Sequence, residues 1–150
     1  MKIWILTSET PPHWAGGIAR YVDNFARSAG ALGNEITVIS RGEKPGMSTV
    51  SEGYRLFEFT HRFEAARQDN PGCEPDDHPG WPFNNMAYFA ALSHQYAGEI
   101  ESLMASEGAP DVIECQDYAA LPYFLLQKKL TQPGFLENVP ILLHLHTPDF

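Results

Sequence analysis

The chain has 150 residues, of which 43% are hydrophobic and 19% are charged, and its formal net charge is −9. This length suits one domain with a buried core, and this composition excludes a disordered chain. The acidic balance argues against a nucleic-acid-binding protein, because that function needs a basic stripe and the longest basic run is Lys128-Lys129.

The first predicted element is a strand over residues 3–6, a short apolar run that turns polar at Thr7-Ser8-Glu9. The run is too short for a signal peptide or a membrane span, so we expect a cytoplasmic protein. A loop containing Gly16-Gly17 leads to a helix that Gly33 is expected to close in the left-handed conformation. Apolar residues mark one face of this helix at steps of three and four: Ile18, Tyr21, Val22, Phe25, Ala29 and Leu32.

Two further strands are predicted over residues 36–39 and 54–59. Residues 61–82 show no periodicity and are rich in proline and glycine, which indicates a long loop. A long helix is then expected, capped by Asn84 or Asn85, with apolar residues at Phe89, Leu92, Tyr96, Ile100 and Leu103.

The last third predicts a fourth strand over residues 111–115, a helix over 119–130 and a fifth strand over 141–145. Pro122 fits that helix only in its first turn, and Cys115 is interpreted as a small buried hydrophobe. The order β-α-β-β-α-β-α-β predicts a doubly wound α/β domain with a mostly parallel sheet. Because no helix follows the fifth strand, we interpret the chain as half of an enzyme.

Ligands of such sheets bind beyond the carboxyl ends of the strands, where the strand order reverses. If the order is 3-2-1-4-5, that crevice lies between the first and fourth strands. The polar residues that follow the first, fourth and fifth strands are expected to line it: Ser8, Glu9, Gly16, Gly17, Gln116, Asp117, His146 and Thr147.

The Gly16-Gly17 pair before the first helix has two interpretations. The backbone there can approach an anionic ligand, which the helix amino terminus favours, or it is a tight turn that needs positive φ. The loop is neither a G-x-G-x-x-G fingerprint nor a P-loop, which argues against NAD binding and ATP hydrolysis. Arg20 either reaches an anion at the helix start or makes a surface ion pair.

His144 and His146 alternate on the fifth strand and are expected to point the same way. No third ligand is placed by spacing, so no metal site is predicted. His144 is interpreted as a core or near-core residue. His146, at the strand end, either contacts a substrate hydroxyl or phosphate or only caps a loop. Asp117 is either a site residue or the N-cap of the third helix.

Three segments together resemble the amino-terminal domain of family 4 glycosyltransferases, which are retaining enzymes of the two-domain, Rossmann-like GT-B fold. The first runs from Lys2-Ile3-Trp4-Ile5-Leu6 through Gly16-Gly17-Ile18-Ala19-Arg20 to Leu32-Gly33-Asn34-Glu35-Ile36; the others are Pro110-Asp111-Val112-Ile113-Glu114-Cys115-Gln116-Asp117 and Pro140-Ile141-Leu142-Leu143-His144-Leu145-His146-Thr147. The family often has histidines in the fourth-strand motif, where this chain has Glu114 and Gln116.

The resemblance implies that residues 1–150 are the acceptor-side domain, without the carboxyl-terminal domain that binds most of the donor. Gly16 and Gly17 would lie against the donor diphosphate and sugar, and His146 would contact the transferred sugar as the catalytic residue. Arg20, Asp117 and Thr147 would complete substrate binding. No metal or other cofactor is expected, because helix dipoles and basic residues stabilise the leaving diphosphate.

The sequence is therefore interpreted as part of a hexosyltransferase-type enzyme that uses a nucleotide-sugar donor and a sugar or lipid acceptor. Membrane contact is expected only with a lipid acceptor, and the isolated domain is expected to be inactive. Two alternatives stay open: a nucleotide-sugar-binding enzyme of another class, such as an epimerase, and a non-catalytic binding module.

Overall fold

A computed structural model describes residues 1–10, 16–50, 53–61 and 88–145 of the chain. Six strands and three helices alternate along these residues. In chain order they are β1 (Lys2–Leu6), α1 (Gly17–Ala31), β2 (Glu35–Arg41), β3 (Gly46–Val50), β4 (Tyr54–Phe59), α2 (Tyr88–Glu107), β5 (Val112–Gln116), α3 (Tyr123–Thr131) and β6 (Ile141–His144). The five predicted strands and three predicted helices are all present. The proposed Asn84 or Asn85 cap and residues 62–82 of the predicted loop lie outside the described residues.

The strands form one sheet in the order β3-β4-β2-β1-β5-β6. Every neighbouring pair is parallel except β3 and β4, which are antiparallel. For the five predicted strands this is the order 3-2-1-4-5. The structure thus confirms the α/β fold with a doubly wound, mostly parallel sheet, and it places β1 and β5 side by side at the reversal of strand order.

Strand β3 was not predicted from the sequence. Four of its five residues are exposed, and it forms the edge of the sheet by pairing with β4. A strand held mainly by backbone pairing carries no alternation of buried apolar residues, which is the signal that sequence patterns supply. The additional strand leaves the order of the other five unchanged.

Two cores lie on opposite faces of the sheet. On one face, α1 packs its residues Val22, Ala26 and Ala29 against Ile3 and Ile5 of β1 and against β2 and β4. On the other face, α2 and α3 cover Trp4 and Leu6 of β1 together with β5. Because successive residues of a strand point to opposite faces, the short apolar run of β1 serves both cores.

The ends of two helices test two sequence predictions. Gly33 has φ of +83° and follows α1, as the left-handed cap predicts. The predicted start of the third helix at Ala119 is wrong, because Ala119 and Ala120 have positive φ and α3 begins at Tyr123, directly after Pro122. Proline lacks the N–H that a helix interior needs, so this helix begins only beyond it.

Cys115 is fully buried, and burial raises the pKa of its thiol, which confirms a small buried hydrophobe. No helix among the described residues is long and apolar enough to span a membrane.

The packing of α1 gives a testable pair of glycine substitutions. A Cβ atom added to Gly30 would lie 2.4 Å from the backbone carbonyl oxygen of Gly53, whereas one added to Gly98 in α2 would meet nothing within 4 Å. We therefore expect Gly30→Ala to lower the free energy of unfolding by about 1 to 3 kcal/mol. Gly98→Ala should raise it by about 0.5 to 1 kcal/mol, because alanine is the better helix former. Denaturant unfolding of both variants checks this, and a Gly30→Ala variant as stable as the parent would contradict the packing.

Candidate functional site

The candidate site lies at the carboxyl ends of β1, β5 and β6. Leu6 pairs with Cys115, and Gln116 pairs with His144, so the three strands end side by side. Helix α1 lies on one face of the sheet, and α2 and α3 lie on the other. This is the crevice in which open α/β sheets bind their ligands, and it is where the sequence placed it.

The turn after β1 is held by a network of hydrogen bonds. The Thr7 amide donates to the Ile39 carbonyl at 3.1 Å, and the Tyr96 hydroxyl donates to the Thr7 carbonyl at 2.5 Å. The same Tyr96 oxygen accepts the Arg41 amide at 3.3 Å, which ties α2 to the ends of β1 and β2. Ser8 is 5% exposed, and its Oγ has no hydrogen-bond partner among the described residues. A buried hydroxyl beside the crevice can thus still bond a ligand.

Gly16 and Gly17 stand at the amino terminus of α1. Gly16 precedes the helix with φ of −71° and ψ of 178°, and neither glycine has positive φ. The tight-turn interpretation, which required positive φ, is therefore wrong. Among the described residues, a Cβ atom at Gly17 would meet nothing within 4 Å, while one at Gly16 would lie 2.5 Å from the Glu9 carboxylate. The described part of the chain thus leaves the space beside Gly17 open to an approaching group, and the helix amino terminus favours an anion there.

Arg20 is exposed in the first turn of α1, and its amide donates to the Gly16 carbonyl at 3.2 Å. The alternative of a surface ion pair finds no acidic partner in the part of the chain that the structure describes. Asp117 directly follows β5, and its amide donates to the His144 carbonyl at 3.1 Å. Its carboxylate makes no capping hydrogen bond to the turn over residues 118–120, and α3 begins further on, so the N-cap interpretation is wrong.

The structure describes only one of the two histidines predicted for the fifth strand, His144. His146 and Thr147 lie outside the described residues, so their roles stay predictions. His144 is the last residue of β6, and 39% of its side chain is exposed, so it is a near-core residue and the core alternative is wrong. The reason is that β6 forms an edge of the described sheet, so its side chains stay exposed to solvent on both faces of the sheet.

His61 is a buried polar residue that the sequence patterns did not single out. It follows β4 and is 0% exposed. Burial, together with the Arg41 guanidinium, lowers its pKa to about 4, so the imidazole is neutral at pH 7. The sequence predicts only the start of a loop at His61, because burial of a residue beyond a strand end leaves no periodic signal.

No group of three or more His, Cys, Asp or Glu residues within the described ranges could hold a metal ion. Whether residues outside those ranges contribute to such a group is untested, so the expectation of a metal-free site stays a prediction.

Comparison with known proteins identifies a family and similar solved structures. The family model described as the starch synthase catalytic domain matches residues 2–150. The solved catalytic domain of starch synthase IV from Arabidopsis thaliana, bound to ADP and acarbose, is similar with a TM-score of 0.66 and 14% identity over 97% of this chain. The present chain covers 34% of that chain, about a third of its length. A search of curated proteins finds no match.

Proposed function

The chain belongs to the starch synthase catalytic-domain family, and on that premise we propose that it is the amino-terminal, acceptor-side domain of a retaining glycosyltransferase. The family and the similar fold agree with the expected GT-B glycosyltransferase domain; the matching model is that of starch synthases and not of family 4. The match over residues 2–150 is the observation that carries the proposal.

The proposed donor is a nucleotide-sugar. The Arabidopsis structure is bound to ADP and acarbose, which supports a nucleotide-sugar donor and a sugar acceptor. The donor diphosphate would lie at the amino terminus of α1, against Gly16 and the open space at Gly17. Backbone N–H groups and the helix dipole would stabilise the charge that develops on the leaving diphosphate, and Arg20 would add a positive charge. No metal is required in this scheme.

The transferred sugar would lie near the ends of β5 and β6. His146 is proposed to donate or accept a hydrogen bond at a sugar hydroxyl, a contact that strengthens as the sugar becomes oxocarbenium-like. Asp117 and Thr147 would bind the remaining hydroxyls. Asp117 directly follows β5 at the crevice, a position that suits this role. Ser8, buried and with no hydrogen-bond partner for its Oγ among the described residues, is a further candidate contact.

A second domain would complete the donor site across the cleft, and we propose that the whole enzyme is a cytoplasmic hexosyltransferase. The chain's coverage of about a third of the Arabidopsis catalytic domain fits one part of a larger site. The epimerase alternative lacks the glycine fingerprint of dinucleotide binding after β1. The binding-module alternative predicts ligand binding without turnover.

The test compares the 150-residue chain with the chain joined to its second domain. The chain alone should unfold cooperatively, bind ADP-glucose only in the millimolar range or weaker, and transfer no sugar, since most donor contacts are missing. The two-domain protein should transfer glucose to a maltooligosaccharide. Transfer by the chain alone would contradict the division of the site between domains. Binding without transfer by the two-domain protein would instead favour the binding module.

A further inference from the structure

A cavity of about 340 Å³ lies on the α1 side of the sheet, beside β5 and β6. Its wall is mostly apolar and includes Ile3, Phe25, Val112 and Leu142. Leu142 is 57% exposed there, although it belongs to a strand. Glu114 is the only acidic residue that lines the described cavity. This volume falls within the usual range for small-molecule sites, which are mostly apolar with a few polar groups.

One carboxylate oxygen of Glu114 accepts a hydrogen bond, and the other has no hydrogen-bond partner among the described residues. Its Oε1 accepts a hydrogen bond from the Tyr21 hydroxyl at 2.7 Å and lies 3.7 Å from His144 Nδ1. Its Oε2 is buried and has no hydrogen-bond partner in the described part of the chain. The residue as a whole is only 5% exposed. A buried carboxylate oxygen without a donor is unfavourable, so an added donor there would be stabilising.

Tyr21 cannot supply that second donor. Burial, and then its hydrogen bond to Glu114, raise the pKa of the Tyr21 phenol, so it stays protonated and gives its one proton to Oε1. The Tyr21 ring also lies 4.3 Å from the His144 ring, and it stacks on Phe25 with ring centres 5.9 Å apart. These contacts put three aromatic rings in the cavity wall that also contains Glu114.

We propose that this cavity binds a primary amine or guanidinium ligand that carries an apolar stem. The cation pairs with the Glu114 carboxylate in the cavity wall, and the stem lies against Phe25 and Leu142. A neutral or anionic ligand of the same size lacks the charge that matches the buried carboxylate. None of these residues is assigned to the sugar donor or acceptor, so the proposal is independent of sugar transfer.

The first test is a calorimetric titration of the 150-residue chain at pH 7 with benzylamine. Benzyl alcohol and benzoate serve as neutral and anionic probes of similar shape. Benzylamine should bind at least about 10-fold more tightly than either, because only its ammonium group carries the charge that complements the Glu114 carboxylate. Equal binding of benzylamine and benzyl alcohol, or no binding of benzylamine, would overturn the proposal.

The second test removes the charge of Glu114 with little change of shape. Glu114→Gln keeps an acceptor for Tyr21 and should weaken benzylamine binding at least about 10-fold. The matched control is Glu101→Gln, which alters an exposed carboxylate paired with Lys128 and should leave binding unchanged. Parental affinity in Glu114→Gln would refute the assignment. If that variant does not fold, the comparison of probes on the parent chain still decides.

Discussion

The Gly17→Val variant of the two-domain enzyme should lose sugar transfer by a factor of about 10² to 10³, while its stability stays within about 0.5 kcal/mol of the parent. A valine side chain would fill the open space at the start of α1, where we place the donor diphosphate. The fold should tolerate it, because Gly17 has no positive φ and its Cβ would meet no atom of the described residues within 4 Å. Valine is also no worse a helix former than glycine.

The measurement is kcat/KM together with the unfolding midpoint on one preparation. Ala31→Val is the matched control, since it places the same β-branched side chain at the exposed last residue of α1. The control should keep parental activity. If Gly17→Val lowers the midpoint and leaves kcat/KM near the parental value, Gly17 has a structural role and the diphosphate lies elsewhere.

His146→Ala in the two-domain enzyme should lower kcat by a factor of about 10² to 10⁴. The reason is the proposed hydrogen bond to the transferred sugar, which strengthens in the transition state and therefore affects kcat more than substrate binding. The prediction rests on the position of His146 in the sequence, two residues beyond the end of β6.

His144→Ala is the matched control for His146→Ala. Its ring packs on Tyr21 and faces Glu114, so its loss should reduce stability by about 1 kcal/mol and leave kcat within a few-fold of the parent. Steady-state kinetics and denaturant unfolding of both variants separate the roles. Should His144→Ala prove the more damaging to kcat, or His146→Ala retain near-parental activity, His146 is no catalytic residue.

The sequence was sufficient to predict the layered fold and the location of its crevice. Apolar periodicity reports which face of an element is buried, so it located β1, α1, β2 and β4 within a few residues. The alternation of these elements, with right-handed crossovers, admits the order 3-2-1-4-5 that was assumed, and the structure shows that order for the five predicted strands. Gly33 closes α1 as predicted, because a left-handed helix end selects glycine through local backbone sterics.

Only the tertiary structure decided features that depend on contacts between distant residues or on backbone pairing. Strand β3 is exposed and held by β4, so it has no apolar pattern to detect. The Tyr21–Glu114 hydrogen bond joins residues 93 positions apart. Whether Gly16 and Gly17 needed positive φ was likewise undecided by residue type, since glycine permits both signs of φ. Periodicity measures what one element buries, whereas the cavity at Glu114 exists only because α1 and β6 leave a gap over the same face of β5.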